Sequence, residues 1–218
     1  MSEDVNPRRY NNAGRARKAD QTRREIVAAA RDLFLADGYP STTLAGIASR
    51  AGVSVQTVYG QFGSKRAILK QVLDHAAAGD DAPVPVNERP WVQQILTEPD
   101  PARKLQLNAR GVADIMRRAC PLDVMLRSAA LVDAEANELW QISARQRVEG
   151  MRQLADHLAH TGHLRAGLTV ADATDRLAVL TDPELYRLTV LERAWTHEQY
   201  EAWLTDLSVT SVVQTVSH

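Results

Sequence analysis

The stretch from Thr42 to Lys65, T-T-L-A-G-I-A-S-R-A-G-V-S-V-Q-T-V-Y-G-Q-F-G-S-K, constrains the fold of this 218-residue chain more than any other. Thr43 stands where an N-cap is wanted, and Leu44, Ile47, Ala48 and Ala51 follow at the spacing of a buried helix face. Ala48 and Ala51 are small where a second helix must come close. Gly52 can take the positive φ of a tight turn, Val53 can fill the gap between the helices, and Ser54 can cap the next one. Helix, three-residue turn and helix together make helix-turn-helix grammar, in which the second helix enters the DNA major groove.

Placing residues 55–62 at 100° steps separates two faces. Val55, Val58, Tyr59 and Phe62 gather on one side, and Gln56, Thr57, Gly60 and Gln61 on the other. The second face lacks long apolar side chains, so it can be presented outward. A Gln can bond adenine through two hydrogen bonds, a Thr can meet a phosphate or a thymine methyl, and a Gly allows close backbone approach. Any solvated helix face shares this composition; the turn in front of it is what favours a DNA-reading role. Gly63-Ser64-Lys65 then closes this helix and caps another, expected to run to Ala78. Amides at that start, together with Lys65, would make an anion site suited to a backbone phosphate.

Upstream, residues 1–19 contain Pro7, Asn11-Asn12 and Gly14, little apolar surface, and Arg8, Arg9, Arg15, Arg17 and Lys18. Nothing there can bury enough surface to offset ordering entropy, so the expectation is a flexible basic arm able to touch phosphates or a minor groove. Thr22-x-x-Glu25 has capping-box spacing, and Ile26, Ala30, Leu33 and Phe34 continue as the stripe of a first helix ending at Gly38.

Residues 22–70, carrying G-Y-x-x-T-T-x-x-x-I-A-x-x-A-G-V-S-x-x-T-V-Y-x-x-F-x-S-K, closely resemble the N-terminal DNA-binding domain of TetR-family transcriptional regulators. The resemblance implies that Thr43, Thr57, Tyr59 and Lys65 occupy phosphate-contacting positions. It sets Ser54, Val55, Gln56, Gly60 and Gln61 around the base-reading surface; Arg15, Arg17 and Lys18 are further candidates on the charge of the arm, which lies outside the resemblance. Two features depart from the common pattern: Gly46 in mid-helix, and a longer arm before the first helix. The implied architecture is all-α, with an arm (1–19), a three-helix helix-turn-helix head (20–78) and a larger helical-bundle body (79–218) for effector binding and dimerisation.

The body opens with an acidic, proline-rich break, G-D-D-A-P-V-P-V-N-E-R-P, read as the boundary between head and body. Helices are expected from Pro101 to about Ala119, from Pro121 to about Val132, from Ala134 to His160, from Thr169 through Leu180, from Pro183 through Ala194, and after Thr196. In the family the last helix pair packs against its twin in a second subunit, which makes Leu185, Leu188, Leu191, Trp195, Trp203 and Leu207 candidates for a dimer interface or core. A dimer also suits the reading mechanism, because one short recognition helix reads few bases. Trp91, Ile115, Met116, Cys120, Met125, Trp140 and Met151 are candidate walls for a pocket that takes a small apolar or amphipathic effector.

Charge supports a two-part molecule. Residues 1–75 carry 12 Lys/Arg against 7 Asp/Glu, whereas residues 76–218 carry 14 against 20. A basic end on an acidic body suits a polyanionic partner at one end only. Cys120 is the single cysteine, so no intrachain disulfide can form, and no apolar run approaches the roughly 20 residues that span a bilayer. A cytoplasmic protein without cofactor or membrane association is expected. The favoured function is a repressor released from a palindromic operator by a small molecule. Two alternatives stand beside it: a metal-dependent enzyme built on His157, His160 and His163, and an architectural DNA-binding protein whose body holds a protein partner.

Overall fold

A computed structural model describes residues 7–80 and 86–214. The chain divides into two compact units, Met1–Leu73 and Asp74–His218, so the division falls inside a helix rather than at the proline-rich break. Helix dominates both units. Among the described residues the only β-type pairing is an isolated bridge between Leu164 and Val213.

The N-terminal unit contains α1 (Pro7–Asp37), α2 (Leu44–Arg50), α3 (Val55–Phe62) and most of α4 (Lys65–Ala78). Local chemistry sets nearly every boundary. Thr43 and Ser54 accept hydrogen bonds from the Gly46 and Thr57 amides, and Ser64 accepts from Ala67. Gly38, Gly52 and Gly63 take φ of 79°, 68° and 73°, the left-handed values that helix exits and the tight turn require. Ile26, Ala30, Phe34, Tyr39, Ile47, Val58, Ile68 and Leu69 are fully buried, and Phe34 meets Tyr39 at a centroid distance of 5.6 Å.

The first helix corrects the expectation of a flexible arm and a Thr22 cap. α1 runs unbroken from Pro7, and Thr22 and Glu25 lie in its interior, with Glu25 accepting from Gln21 at 2.9 Å. The entropic argument treated residues 1–19 as an isolated segment. A helix already nucleated by packing from Arg23 onward needs only the cheaper propagation step, and Ala, Arg, Lys and Gln favour it. Residues 1–6 of the expected arm lie outside the described residues.

The C-terminal unit adds α5 (Pro90–Thr97), preceded by a short 3-10 turn, α6 (Pro101–Ala130), α7 (Ala134–His160), α8 (Val170–Leu180), α9 (Pro183–Tyr186) and α10 (His197–Val212). Two expectations needed joining: Pro121 does not start a helix but sits inside α6. A proline there removes one helical bond, but Cys120, Leu122 and Leu126 on either side are fully buried, and their packing carries the helix through. α5 follows the proline-rich break, in a stretch where no helix was expected. Its Pro90 occupies the first turn, where a missing N–H costs nothing, and Ile95 is buried. The expected helix from Pro183 to Ala194 turns π-helical over Arg187–Glu192, and Ala194 exits with φ of 55°.

Two apolar clusters fill this unit. Ile95, Leu105, Met151, Leu154, Leu158, Leu177 and Val212 form one; Ala109, Val112, Met116, Cys120, Tyr186, Tyr200 and Leu204 form the other. Tyr200, Leu204, Ser208 and Val212 make the buried stripe of α10 at four-residue spacing. Tyr200 shares a cluster with Met116 and Cys120, and Val212 shares one with Leu105, so α10 lies antiparallel on α6.

Candidate nucleic-acid interface

α3 is held from behind by a single deeply buried side chain, Val58, with Phe62 half-buried beside it. The four-residue inward cluster expected from the helical wheel is therefore smaller. Val55 is 47% and Tyr59 64% exposed, placing both among the outward residues that the family resemblance implies. An eight-residue helix on a small head has room for one narrow contact stripe. Gln56 and Gly60 are exposed, Thr57 and Gln61 are half-buried, and a Cβ added at Gly60 would meet nothing within 4 Å. The outward surface thus offers an amide, a phenol and an isopropyl group around one open backbone position.

Fixed neighbours hold that surface rigid. The Ser54 and Thr57 hydroxyls lie 2.8 Å apart, so the Thr57 side chain belongs to the capping network. At the far end, Arg23 of α1 donates to the Gln61 carbonyl at 3.3 Å and to the Gln71 side chain at 2.8 Å. Its guanidinium also stands 4.3 Å from the Phe62 ring centroid. Arg50 of α2 pairs with Asp32 of α1 at 3.2 Å on the surface. One arginine therefore ties α1, α3 and α4 together at the C-terminal end of α3. The sequence reading missed Arg23, whose role depends on three segments meeting rather than on local spacing.

Lys65 departs most from expectation. Its ammonium donates to the Tyr39 carbonyl at 2.8 Å and the Pro40 carbonyl at 3.4 Å, and lies 4.2 Å from the Tyr39 ring centroid. The expected phosphate ligand is committed to holding the loop between α1 and α2. Thr43 remains exposed at the start of α2, its hydroxyl oxygen accepting from Gly46. Arg15, Arg17 and Lys18 are all exposed on α1.

In the C-terminal unit the candidate pocket residues do not converge. Trp91 and Met151 belong to the cluster around Leu105, whereas Ile115, Met116 and Cys120 belong to that around Tyr200; Met125 and Trp140 belong to neither. Trp140 instead faces the Arg127 guanidinium at 5.7 Å. Met116 and Met151 are buried in the core clusters, a role that sequence alone does not distinguish from pocket lining. Shallow grooves of about 290 and 590 Å³ lie along α6 and α10, lined by Gln106, Thr205 and Asp206, and none of the seven candidates borders them.

Burial pushes the Cys120 thiol up to about 11, with Asp123 adding, and Cys120 donates weakly to the Pro183 carbonyl at 3.6 Å. The Tyr200 hydroxyl, raised chiefly by burial, has no hydrogen-bond partner among the described residues. The histidines do not assemble either. Gly162, at φ of 74°, ends α7 after His160, so His163 leaves the helix and its ring meets the Thr161 hydroxyl at 3.0 Å. Burial, then Lys104, then the other two imidazoles hold His157 below its usual value. Among the described residues no group of His, Cys, Asp and Glu could hold a metal ion.

Leu185, Leu188, Trp195, Trp203 and Leu207 are half-buried and Leu191 is 52% exposed, and of these six Trp203 packs against the cluster around Tyr200. Trp195 and Trp203 meet edge to face at 5.8 Å.

A short, capped second helix set on a glycine turn, with a polar open face and a third helix bracing it, defines a helix-turn-helix protein. Residues 26–72 match the family model of bacterial regulatory proteins, tetR family. The match covers the head alone, so the resemblance to TetR-family regulators is carried by residues 26–72. It is 39% identical over 79 residues to TtgW, an uncharacterised HTH-type transcriptional regulator of Pseudomonas putida. That match takes in 35% of this chain and 59% of TtgW, so the chain spans little more than half the length of this relative.

Similarity of fold extends much further than similarity of sequence. NalD, the secondary repressor of the MexAB-OprM multidrug efflux pump in Pseudomonas aeruginosa, superposes with a TM-score of 0.67 at 23% identity, over 90% of this chain and 98% of NalD. SmeT of Stenotrophomonas maltophilia, in its triclosan complex, gives 0.67 at 19% identity over 89% of this chain and 92% of SmeT. Among the described residues no helix is long and apolar enough to cross a membrane.

Proposed function

We propose that this protein is a cytoplasmic, sequence-specific DNA-binding transcriptional regulator and not an enzyme: a homodimeric repressor released from a palindromic operator by a small molecule. The observation that carries this reading is the rigid, polar, outward face of α3, with Gln56 and Gly60 exposed at its centre. Gln56 reads a base edge, Gly60 lets the backbone approach, and Val55 and Tyr59 add an apolar and a phenolic contact. Ser54 and Thr57 shape the entry of α3, while Thr43 and the amides opening α4 meet phosphates. Lys65 supports that contact indirectly, by holding the Tyr39–Pro40 loop.

Pairing through Leu185, Leu188, Leu191, Trp195, Trp203 and Leu207 supplies the second recognition helix and a twofold site. NalD and SmeT are repressors, and SmeT takes triclosan, which supports a small apolar or amphipathic effector for this chain as well. An effector causes release only by binding the released conformation more tightly, with about 1–3 kcal/mol of coupling being typical. Of the seven pocket candidates, Ile115, Met116 and Cys120 fit this best, since they adjoin Tyr200, whose hydroxyl has no partner among the described residues.

Selection of bound duplexes from a random pool, followed by challenge with a panel of apolar compounds, tests the proposal. Recovery of an inverted repeat that a panel member releases is the expected result. Retention of no duplex would overturn it.

A further inference from the structure

α3 is attached to the head unequally at its two ends. Its start follows directly from α2 through the Gly52 turn and the Ser54 cap, and α2 is the helix on which it chiefly packs. Its last turn is held less firmly: Phe62 is only half-buried, and Gly63 follows in the left-handed region at φ of 73°. Over the eight residues of α3, Val58 alone is fully buried. A helix so lightly buried needs another means of fixing its tilt. Arg23, half-buried on α1, supplies one. One terminal nitrogen donates to the Gln61 carbonyl, among the last carbonyls of α3, which the helix itself leaves without donors. The other donates to the Gln71 side chain of α4, and the guanidinium lies over the Phe62 ring. Its positive charge also complements the negative end of the α3 dipole. All of these residues belong to the N-terminal unit.

We propose that Arg23 is a positioning residue for DNA reading: it sets the tilt of α3 from behind and touches no nucleic acid itself. The proposal rests on α3 being the reading helix. At 1.5 Å per residue α3 is about 12 Å long. A tilt of about 10° about the Gly52 turn would carry its far end about 2 Å, whereas Gln56, at its second position, would move about 0.5 Å. A binding contact tolerates a displacement of about 0.5 Å. Loss of Arg23 therefore blurs reading by the far half of the helix, through Tyr59, Gly60 and Gln61, and spares reading by Gln56. Both terminal nitrogens are committed within the head, which assigns this arginine to the frame behind α3 rather than to a phosphate. Only a planar fork can serve two acceptors and an aromatic face at once, so lysine is a poor substitute.

The test uses full-length protein, a duplex recovered by selection and the set of its single-base variants. Gln56→Ala and Gln61→Ala first map which bases each end of α3 discriminates. Arg23→Met, which keeps a long side chain and removes the fork, should lower discrimination about five- to tenfold at the bases mapped by Gln61→Ala. Discrimination at the bases mapped by Gln56→Ala should be retained. Arg23→Lys keeps the charge but serves one acceptor, and should recover part of the loss. Gln71→Met, which cuts the tie to α4 alone, should give the same pattern more weakly and add little to Arg23→Met. The slope of log affinity against log salt should match that of the parent. Loss spread evenly over the site would make Arg23 a general support of the head, and a slope shallower by about one would make it a phosphate ligand. Either result, or an unchanged profile, would overturn the proposal while leaving α3 as the reader. If Arg23→Met unfolds the head, Gln71→Met carries the comparison and is judged by the same outcomes. A parent that prefers no duplex over another would overturn the assignment of α3 and this inference with it.

Discussion

The head and the body of this chain contrast in what they do with polar groups. In the head the polar side chains at each turn have partners: Thr43, Ser54 and Ser64 cap helices, Lys65 holds two carbonyls, and Arg23 bridges three segments. Gln56, Tyr59 and Gly60 stay exposed on the outward stripe of α3. In the body the interior itself holds polar groups with unmet demand, among them Tyr200, Ser208 and Asn108 along the packing of α10 on α6. A reading surface must be rigid and present its donors to water until DNA arrives. A body that answers to a small molecule must keep some interior free energy available for a second conformation.

Phe34→Ala is the largest perturbation. It removes a fully buried ring from the head and should cost that unit about 3–5 kcal/mol. Calorimetry that resolves the two units should show the head melting earlier and the body unchanged. A single transition shifting as a whole would break the contrast.

Cys120 gives the next largest effect. Its folded-state value of about 11 lies above the thiol's unperturbed 9.0, so the unfolded chain loses this proton first as pH rises. Stability from the neutral thiol is fully present below pH 9.0 and falls through the window up to about 11, by on the order of 2 kcal/mol. Chemical denaturation at stepped pH should show this fall, and Cys120→Ala should flatten it. A smaller, opposite effect is expected of Tyr200→Phe. Deleting an unpartnered buried hydroxyl should raise the body's stability by about 1 kcal/mol and weaken effector release. Loss of stability would mean that the hydroxyl has a partner.

The difference between the units also accounts for what could be read from sequence. Thr43, Ser54, Gly52, Gly63, Gly162 and the Thr169 box act within four residues of themselves, so helix ends at Ala78, His160 and Leu180 were legible. Lys65 and Arg23 were not, because their partners lie across the head and depend on which way a loop carbonyl faces. Pro121 was misread as a boundary because burial of its neighbours outweighs its local penalty. α1 was misread because propagation from a packed nucleus does not show in the composition of the extension. For the outward stripe of α3 the wheel identified Gln56 and Gly60 but put Tyr59 inside. An eight-residue helix buries less than its apolar content suggests.

The central claim, that the open stripe of α3 reads DNA, is tested most directly by one ratio: affinity for a selected duplex over affinity for a scrambled one, for parent and for Gln56→Ala. Gln56 is exposed and supports no part of the fold, so the substitution should leave thermal stability unchanged. It should lower the ratio by about five- to a hundredfold, the equivalent of about 1–3 kcal/mol for one bidentate base contact. An unchanged ratio at unchanged stability would contradict the account.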